Sequence, residues 1–138
     1  MKHIKVFNDF INEKITLPKS GGYSAFWIFK QIMDGKKDVQ FLVTKHPGVN
    51  NEDDIELLQK YRDMDWGVLT VDKEDGDAYI VYRPNATGKK KAKRLKEIAD
   101  SHGGYLADKT AEEAREIGEL LDYSNADIKR FVKRIYGE

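Results

Sequence analysis

Two groups of cationic side chains have the chemistry to bind a phosphate backbone. The first opens a charged run in the middle of the chain, and the residues predicted to contact nucleic acid there are Lys89, Lys90, Lys91, Lys93 and Arg94. The second lies further along and comprises Asn125, Lys129, Arg130, Lys133 and Arg134. Lysine and arginine neutralise phosphate oxygens, and an asparagine beside them can reach base edges. These ten residues form the predicted nucleic-acid-binding set.

The first group occupies the start of a helix predicted over residues 88–101. Cations at a helix N-terminus oppose the helix dipole, which costs roughly a few tenths of a kcal/mol per charge. Their placement therefore indicates a role other than helix stability, and phosphate binding is the natural candidate. The alternative is a lysine-rich helix face that only meets solvent.

The second group lies on the second of two short amphipathic helices predicted between residues 110 and 136. Apolar or small residues stand at Ile117, Gly118, Leu121, Tyr123, Ile128 and Phe131. This spacing fills six of seven positions of a DNA-binding helix-turn-helix and resembles that motif. The seventh position normally holds glycine, and Asp122 stands there instead, one of the residues that better tolerate a positive φ. The pattern places Ile128, Phe131, Val132 and Ile135 on one face and turns the cations outward.

A plain helical hairpin that docks on the rest of the domain would produce much of the same spacing. The first helix of the pair is also acidic, because it carries Glu112, Glu113, Glu116 and Glu119. These carboxylates would repel DNA if they lay near its backbone. They could equally form ion pairs with the basic second helix.

Residues 75–82 form a second pattern, in which a glycine is followed by alternating aromatic and aliphatic residues. It resembles the RNP1 strand of RNA-recognition motifs, which stacks bases on exposed aromatic rings. Asp75 and Asp77 replace the basic residue and the first stacking aromatic, so only Tyr79 of the RNA-contacting groups remains. The alternative is an ordinary hairpin strand.

The predicted element order from Tyr23 to Ala107 is similar to that of Holliday-junction resolvases and other restriction-endonuclease-like nucleases. That resemblance implies a metal-binding role for Asp65, and it requires a carboxylate and a lysine on the next strand. Val81 and Arg83 stand there instead. The implied protein is a degenerate nuclease with no predicted catalytic residue.

These residues must be positioned by an α+β fold. Hydrophobic periodicity predicts strands over residues 39–43, 66–71, 78–82 and 105–107, and helices over residues 52–62 and 88–101. This βαββαβ order is characteristic of a ferredoxin-like core, with two helices on one face of an antiparallel or mixed sheet. We expect one domain over residues 1–138, with an N-terminal helical part at 1–35, the α+β core at 36–108 and a C-terminal helix pair at 109–138.

The composition limits the classes of partner. The chain has 138 residues with 24 basic and 24 acidic side chains, so its net charge is zero and any binding of polyanions requires a local patch. Cysteine is absent, which agrees with a reducing cytoplasm. We expect a cytoplasmic protein with no membrane segment, no cofactor and no metal site.

Three functions follow as hypotheses. The first is a small non-enzymatic protein that binds DNA or RNA through its local basic helices. The alternative is an accessory factor of the phage or plasmid type that docks on a host protein, which predicts a contiguous apolar surface patch. The third, a degenerate nuclease-like fold, requires carboxylates clustered around Asp65, Asp72 and Asp77.

Overall fold

The computed structural model of this protein describes residues 24–106 and 110–137. Residues 1–23 of the predicted N-terminal helical part lie outside them. The described helices are α1 (Ala25–Met33), α2 (Glu52–Asp63), α3 (Ala86–Ser101), α4 (Ala111–Leu120) and α5 (Asn125–Tyr136). The described strands are β1 (Val39–His46), β2 (Val49–Asn50), β3 (Gly67–Val71) and β4 (Asp77–Tyr82). The predicted α+β class is confirmed.

The four strands form one sheet in the order β2-β1-β4-β3, and every pair of neighbours is antiparallel. β4 is the central strand, where Ile80 pairs with Phe41 of β1 on one side and Leu69 of β3 on the other. The predicted hairpin between residues 66–71 and 78–82 is present, with Val71 opposite Ala78 at its closed end. β1 and β3 consequently run in the same direction on either side of β4. The chain passes from β1 through β2 and α2 to β3.

Helices cover both faces of the sheet. Leu42 and Val81 pack on one face with Phe29 and other residues of α1 and α2. Val39 and Ile80 point to the other face, where they meet residues of α3, including Leu95. Alternate residues of a strand point to opposite faces, so β1 and β4 contribute apolar side chains to two separate cores.

The ferredoxin-like arrangement is not confirmed. It requires two helices on the same face, whereas α2 and α3 lie on opposite faces. It also requires a strand at residues 105–107, but Tyr105 and Leu106 are not in a strand and Ala107 lies outside the described residues. After α3 the chain turns at Gly104 (φ 95°), which lies so close to Lys73 that an added Cβ would be 2.6 Å from its Cβ. This contact places the chain after α3 beside the β3–β4 loop.

Side-chain caps set the helix starts. Ser24, Asn51 and Asn85 each accept a hydrogen bond from the backbone N–H three residues on, which satisfies an amide that has no partner within the helix. Thr110 and Ser124 do the same for α4 and α5. No helix in the described ranges is long and apolar enough to cross a membrane.

Candidate functional site: the C-terminal helix pair

The C-terminal helix pair, α4 and α5, is joined by a tight turn at residues 121–124. Asp122 adopts φ 60°, the left-handed conformation expected at this position of the pattern. Gly118 of α4 lies against Ile128 of α5, and an added Cβ would be only 2.8 Å from Ile128 Cγ1. The small residue therefore allows the two helices to approach closely. Val132 packs beside this contact against the small side chains of α4.

An ion network holds the turn against the body of the domain. The Lys91 ammonium of α3 donates to both Asp122 carboxylate oxygens at 2.8 and 2.9 Å, and to Asp38 at 2.8 Å. Asp38 also accepts a hydrogen bond from Arg83 Nε at 3.1 Å. Partial burial alone would raise the pKa of Asp38, but Lys91 and Arg83 together bring it below its usual value. Partial burial likewise opposes the charge on Lys91, yet Asp122 and Asp38 raise the pKa of its ammonium.

Lys37, which lies two residues before β1, secures the same turn. Its ammonium donates to the Leu121 carbonyl at 2.7 Å, at the C-terminal end of α4, and lies 4.0 Å from the centre of the Tyr123 ring. The Lys37 side chain is buried, and this burial lowers the pKa of its ammonium. A cation at this position interacts favourably with the negative end of the helix dipole.

The first basic group divides between internal and exposed side chains. Lys91 belongs to the ion network, and its side chain is 20% exposed. Arg94 makes two parallel hydrogen bonds of 2.9 Å to Glu116 of α4 and a third to Glu97. These bonds raise the pKa of Arg94 and lower that of Glu116. The charges of Lys91 and Arg94 are therefore balanced within the protein, because both side chains point towards the helix pair.

The other three members of this group, Lys89, Lys90 and Lys93, are exposed. None of them has an ion-pair partner within the described part of the chain. They lie on α3 close to Lys91, which itself contacts Asp122 three positions before α5 begins. Lys91 therefore brings the N-terminal half of α3 close to the turn that precedes α5.

The second basic group also divides, because its members lie on two flanks of α5. At 100° per residue, positions four apart form a stripe, so Asn125, Lys129 and Lys133 share one flank. All three are exposed, and we call them the polar stripe. Arg130 and Arg134 lie on the neighbouring flank, nearer to Phe131. Arg130 pairs with Asp127 one turn earlier, and the Arg134 guanidinium is 5.7 Å from the centre of the Phe131 ring.

The flank with the arginines borders an open groove of about 650 Å³ between α4, α5 and the segment after α3. Its apolar lining comes from Leu106, Ala114, Ile117, Tyr123, Ile128 and Phe131, and Asp127, Arg130 and Arg134 form its charged rim. We call it the α5 groove.

The apolar face of α5 is mostly uncovered. The sequence pattern places Ile128, Phe131, Val132 and Ile135 together, but Val132 is the only one of the four that is buried. Phe131 is 37% exposed and Ile135 is 53% exposed. The periodicity identifies an apolar face correctly, but it carries no information on whether another element covers that face.

The acidic residues of α4 pair away from α5. Glu116 binds Arg94, and Glu113 lies 2.5 Å from His102 Nε2 at the end of α3. The predicted pairing of these carboxylates with the basic second helix is therefore replaced by pairing with α3. Glu112 and Glu119 are exposed.

Neither the pattern that resembles RNP1 nor the one that resembles nucleases forms a site among the described residues. Tyr79 packs against the core cluster that contains α1 and α2, with the Arg62 guanidinium 5.7 Å from its ring centre, so its face is not open for base stacking. Asp65 precedes β3 and Asp72 follows it, which separates them by roughly 20 Å of extended strand. No group of three or more potential metal ligands occurs in the described ranges.

Comparison with protein-family models, with curated proteins and with solved structures finds no match to this chain.

Proposed function

We propose that this chain is a non-enzymatic protein that binds double-stranded DNA. The polar stripe of α5 supplies the central contacts, and the exposed lysines of α3 supply flanking phosphate contacts. The observation that carries the proposal is the exposure of Asn125, Lys129 and Lys133 on the second helix of a tightly turned helix pair. In this arrangement a helix-turn-helix directs the first turns of its second helix at base edges.

The local charge balance favours a polyanion even though the whole chain is neutral. Lys129 and Lys133 on α5 and Lys89, Lys90 and Lys93 on α3 are exposed and have no ion-pair partner among the described residues. The nearby carboxylates Asp122 and Glu116 are already paired with Lys91 and Arg94. Pairing of Glu116 with Arg94 and of Glu113 with His102 thus removes part of the repulsion that the acidic first helix would otherwise exert on DNA.

The side chains of the polar stripe suit two different contacts. Asn125 stands in the first turn of α5, where an amide can form paired hydrogen bonds with adenine in the major groove. Lys129 and Lys133 are suited to phosphates on either side. A DNA-binding role also agrees with the cytoplasmic location expected from the cysteine-free sequence.

The experiment is a fluorescence-anisotropy titration of the full chain with a labelled DNA duplex of mixed sequence, repeated at several salt concentrations. If three to five lysines contact phosphate, the slope of log K against log salt is expected to lie between about −2.7 and −4.5. Affinity then falls about 40- to 500-fold between about 50 and 200 mM salt. Lys129→Ala and Lys133→Ala should each make the slope shallower by about 0.9.

Lys30→Ala and Lys45→Ala serve as matched controls, because both lysines are exposed but lie on α1 and β1. Their binding curves and salt slopes should equal those of the wild type. The proposal fails if micromolar protein shows no salt-sensitive binding, or if the control variants weaken binding as much as the stripe variants do. Binding to single-stranded RNA without binding to the duplex would also overturn the choice of DNA.

A further inference from the structure

The α5 groove lies on the flank of α5 next to Phe131, whereas the polar stripe points to solvent on another flank. Gly118 brings α4 and α5 together at Ile128, while Phe131, one turn further along, remains 37% exposed. The helices are therefore packed at one line of contact and open beside it. Nothing in the proposed DNA contact uses this opening.

The groove combines an apolar floor with a cationic rim. Apolar side chains from α4, α5 and Leu106 form the floor, and its volume of about 650 Å³ is within the usual range for ligand sites. Exposed Phe131 and Ile135 extend the apolar surface along α5. Contiguous exposed apolar surface with a polar rim is typical of a site for another protein.

The rim charges identify the kind of partner. Asp127, the one rim carboxylate among the described residues, is paired with Arg130. Arg134 has no carboxylate partner among the described residues and lies against the Phe131 ring. An incoming carboxylate could therefore form paired hydrogen bonds with a guanidinium that is already held in place by the ring. A basic partner would meet uncompensated repulsion.

We propose that the α5 groove binds an acidic amphipathic helix from another protein. Apolar side chains of the partner, spaced at i, i+3 or i+4 and i+7, would enter the groove beside Phe131. An aspartate or glutamate on the flank of the partner helix would pair with Arg134. This inference does not depend on DNA binding, because Arg134 and Phe131 lie outside the polar stripe.

The test uses a displayed library of helical peptides with fixed leucines at i, i+3 and i+7 and randomised flanking positions. Peptides are selected on the full chain and counter-selected on the Phe131→Ser variant. The enriched peptides are expected to carry more acidic than basic residues at the flanking positions. The best of them, synthesised with a fluorophore, should bind the wild type at least 10-fold more tightly than Phe131→Ser.

Charge reversal separates the arginine contact from general hydrophobic binding. Arg134→Glu should weaken the selected acidic peptide about 10-fold or more and should strengthen a variant peptide in which the acidic residues are lysine. Ile55→Ser is the matched control, because Ile55 is an exposed apolar residue on α2. Lys30→Glu is the matched control for the charge reversal. Neither control should change peptide affinity by more than about twofold.

Several results would overturn the proposal. The first is the absence of peptides that prefer the wild type over Phe131→Ser, and the second is enrichment of basic or neutral flanks. Light scattering tests a different occupant: a wild-type dimer that Phe131→Ser converts to a monomer would assign the groove to a second copy. Peptide binding that occurs only after removal of residues 1–20 would assign it to the chain itself.

Discussion

Replacement of Lys91 by methionine is the sharpest test of how the C-terminal helix pair is attached. Methionine keeps most of the side-chain length and apolar contact but removes the ammonium that joins Asp38 to Asp122. These two carboxylates, from different parts of the chain, would then face each other without their shared cation. Asp38 would retain Arg83, whereas Asp122 would lose the one ion pair that it makes among the described residues.

The magnitude follows from burial and bond count. Lys91 donates to two carboxylates, and each hydrogen bond to a charged group contributes about 1.5–3 kcal/mol when it is well desolvated. The three side chains are 20–26% exposed, so solvent screens part of this energy. We therefore expect Lys91→Met to lower the free energy of unfolding by about 2–3 kcal/mol. For a chain of this size the melting temperature should fall by about 7–10 °C.

The loss should depend on pH. The pKa of Asp38 is lowered from its ordinary 3.8, so its contribution to stability is present above that pH and is lost as pH falls through the lowered value. The pKa of Lys91 is raised from 10.5, so its contribution is present below that pH and is lost only as pH rises through the raised value. The difference between wild type and Lys91→Met should therefore be constant between about pH 5 and 9 and should shrink below about pH 4.

Urea denaturation at several pH values measures the difference, and hydrogen exchange shows where it acts. Amides of α4 and α5 should lose more protection than those of the sheet, because the ion network attaches the turn between these helices. Lys90→Met is the matched control, since Lys90 is exposed on the same helix, and it should change stability by less than about 0.5 kcal/mol. Equal effects of the two substitutions, or a Lys91→Met effect unchanged at pH 3, would refute the assigned role of the ion network.

Two further substitutions test the contact between α4 and α5 and the burial of Asp54 beside β1. Gly118→Val should lower the free energy of unfolding by about 1–3 kcal/mol, because even a Cβ would be 2.8 Å from Ile128 Cγ1; Ile128→Ala in the same chain should recover part of the loss in a urea titration, and additive losses would contradict the contact. Burial raises the pKa of Asp54 to about 6, although its carboxylate accepts a hydrogen bond from the Val43 amide. Because this pKa lies above the ordinary 3.8, Asp54 lowers stability as pH rises from about 4 to 6, so Asp54→Asn should be more stable than wild type at pH 7 by up to about 3 kcal/mol and should lose that advantage below about pH 4. An advantage that persists unchanged at pH 4 would exclude titration of Asp54 as its cause.

Much of the local structure could be predicted because it depends on residues close together in the chain. Asn51 and Asn85 cap helices by binding amides three residues away, and the hairpin between β3 and β4 closes over a short polar loop. Asp122 adopts a positive φ where the helix-turn-helix pattern requires one. In each case the decisive contact lies within a few positions of the residue that specifies it.

The candidate site could be predicted only in part, because exposure and pairing depend on distant residues. Lys89 and Lys91 look equivalent in the sequence, yet one is exposed while the other bonds to Asp122, 31 positions away. The Phe131 position matches a core position of the pattern but borders an open groove. The helical periodicity of α3 carries a signal that could have identified Lys91. Lys91 and Arg94 lie next to the buried face of the helix, which includes Ala92 and Leu95.

The sequence by itself determined that this chain forms an α+β fold with a tightly turned helix pair and two local excesses of positive charge. Hydrophobic periodicity and helix capping reflect local geometry, because both depend on residues only a few positions apart. Only the tertiary structure decided that α2 and α3 cover opposite faces of the sheet, that Lys37 reaches the Leu121 carbonyl 84 positions away, and which cations remain exposed. These outcomes depend on which desolvated surfaces and opposite charges meet across the fold. No local pattern of residues along the chain encodes these long-range contacts.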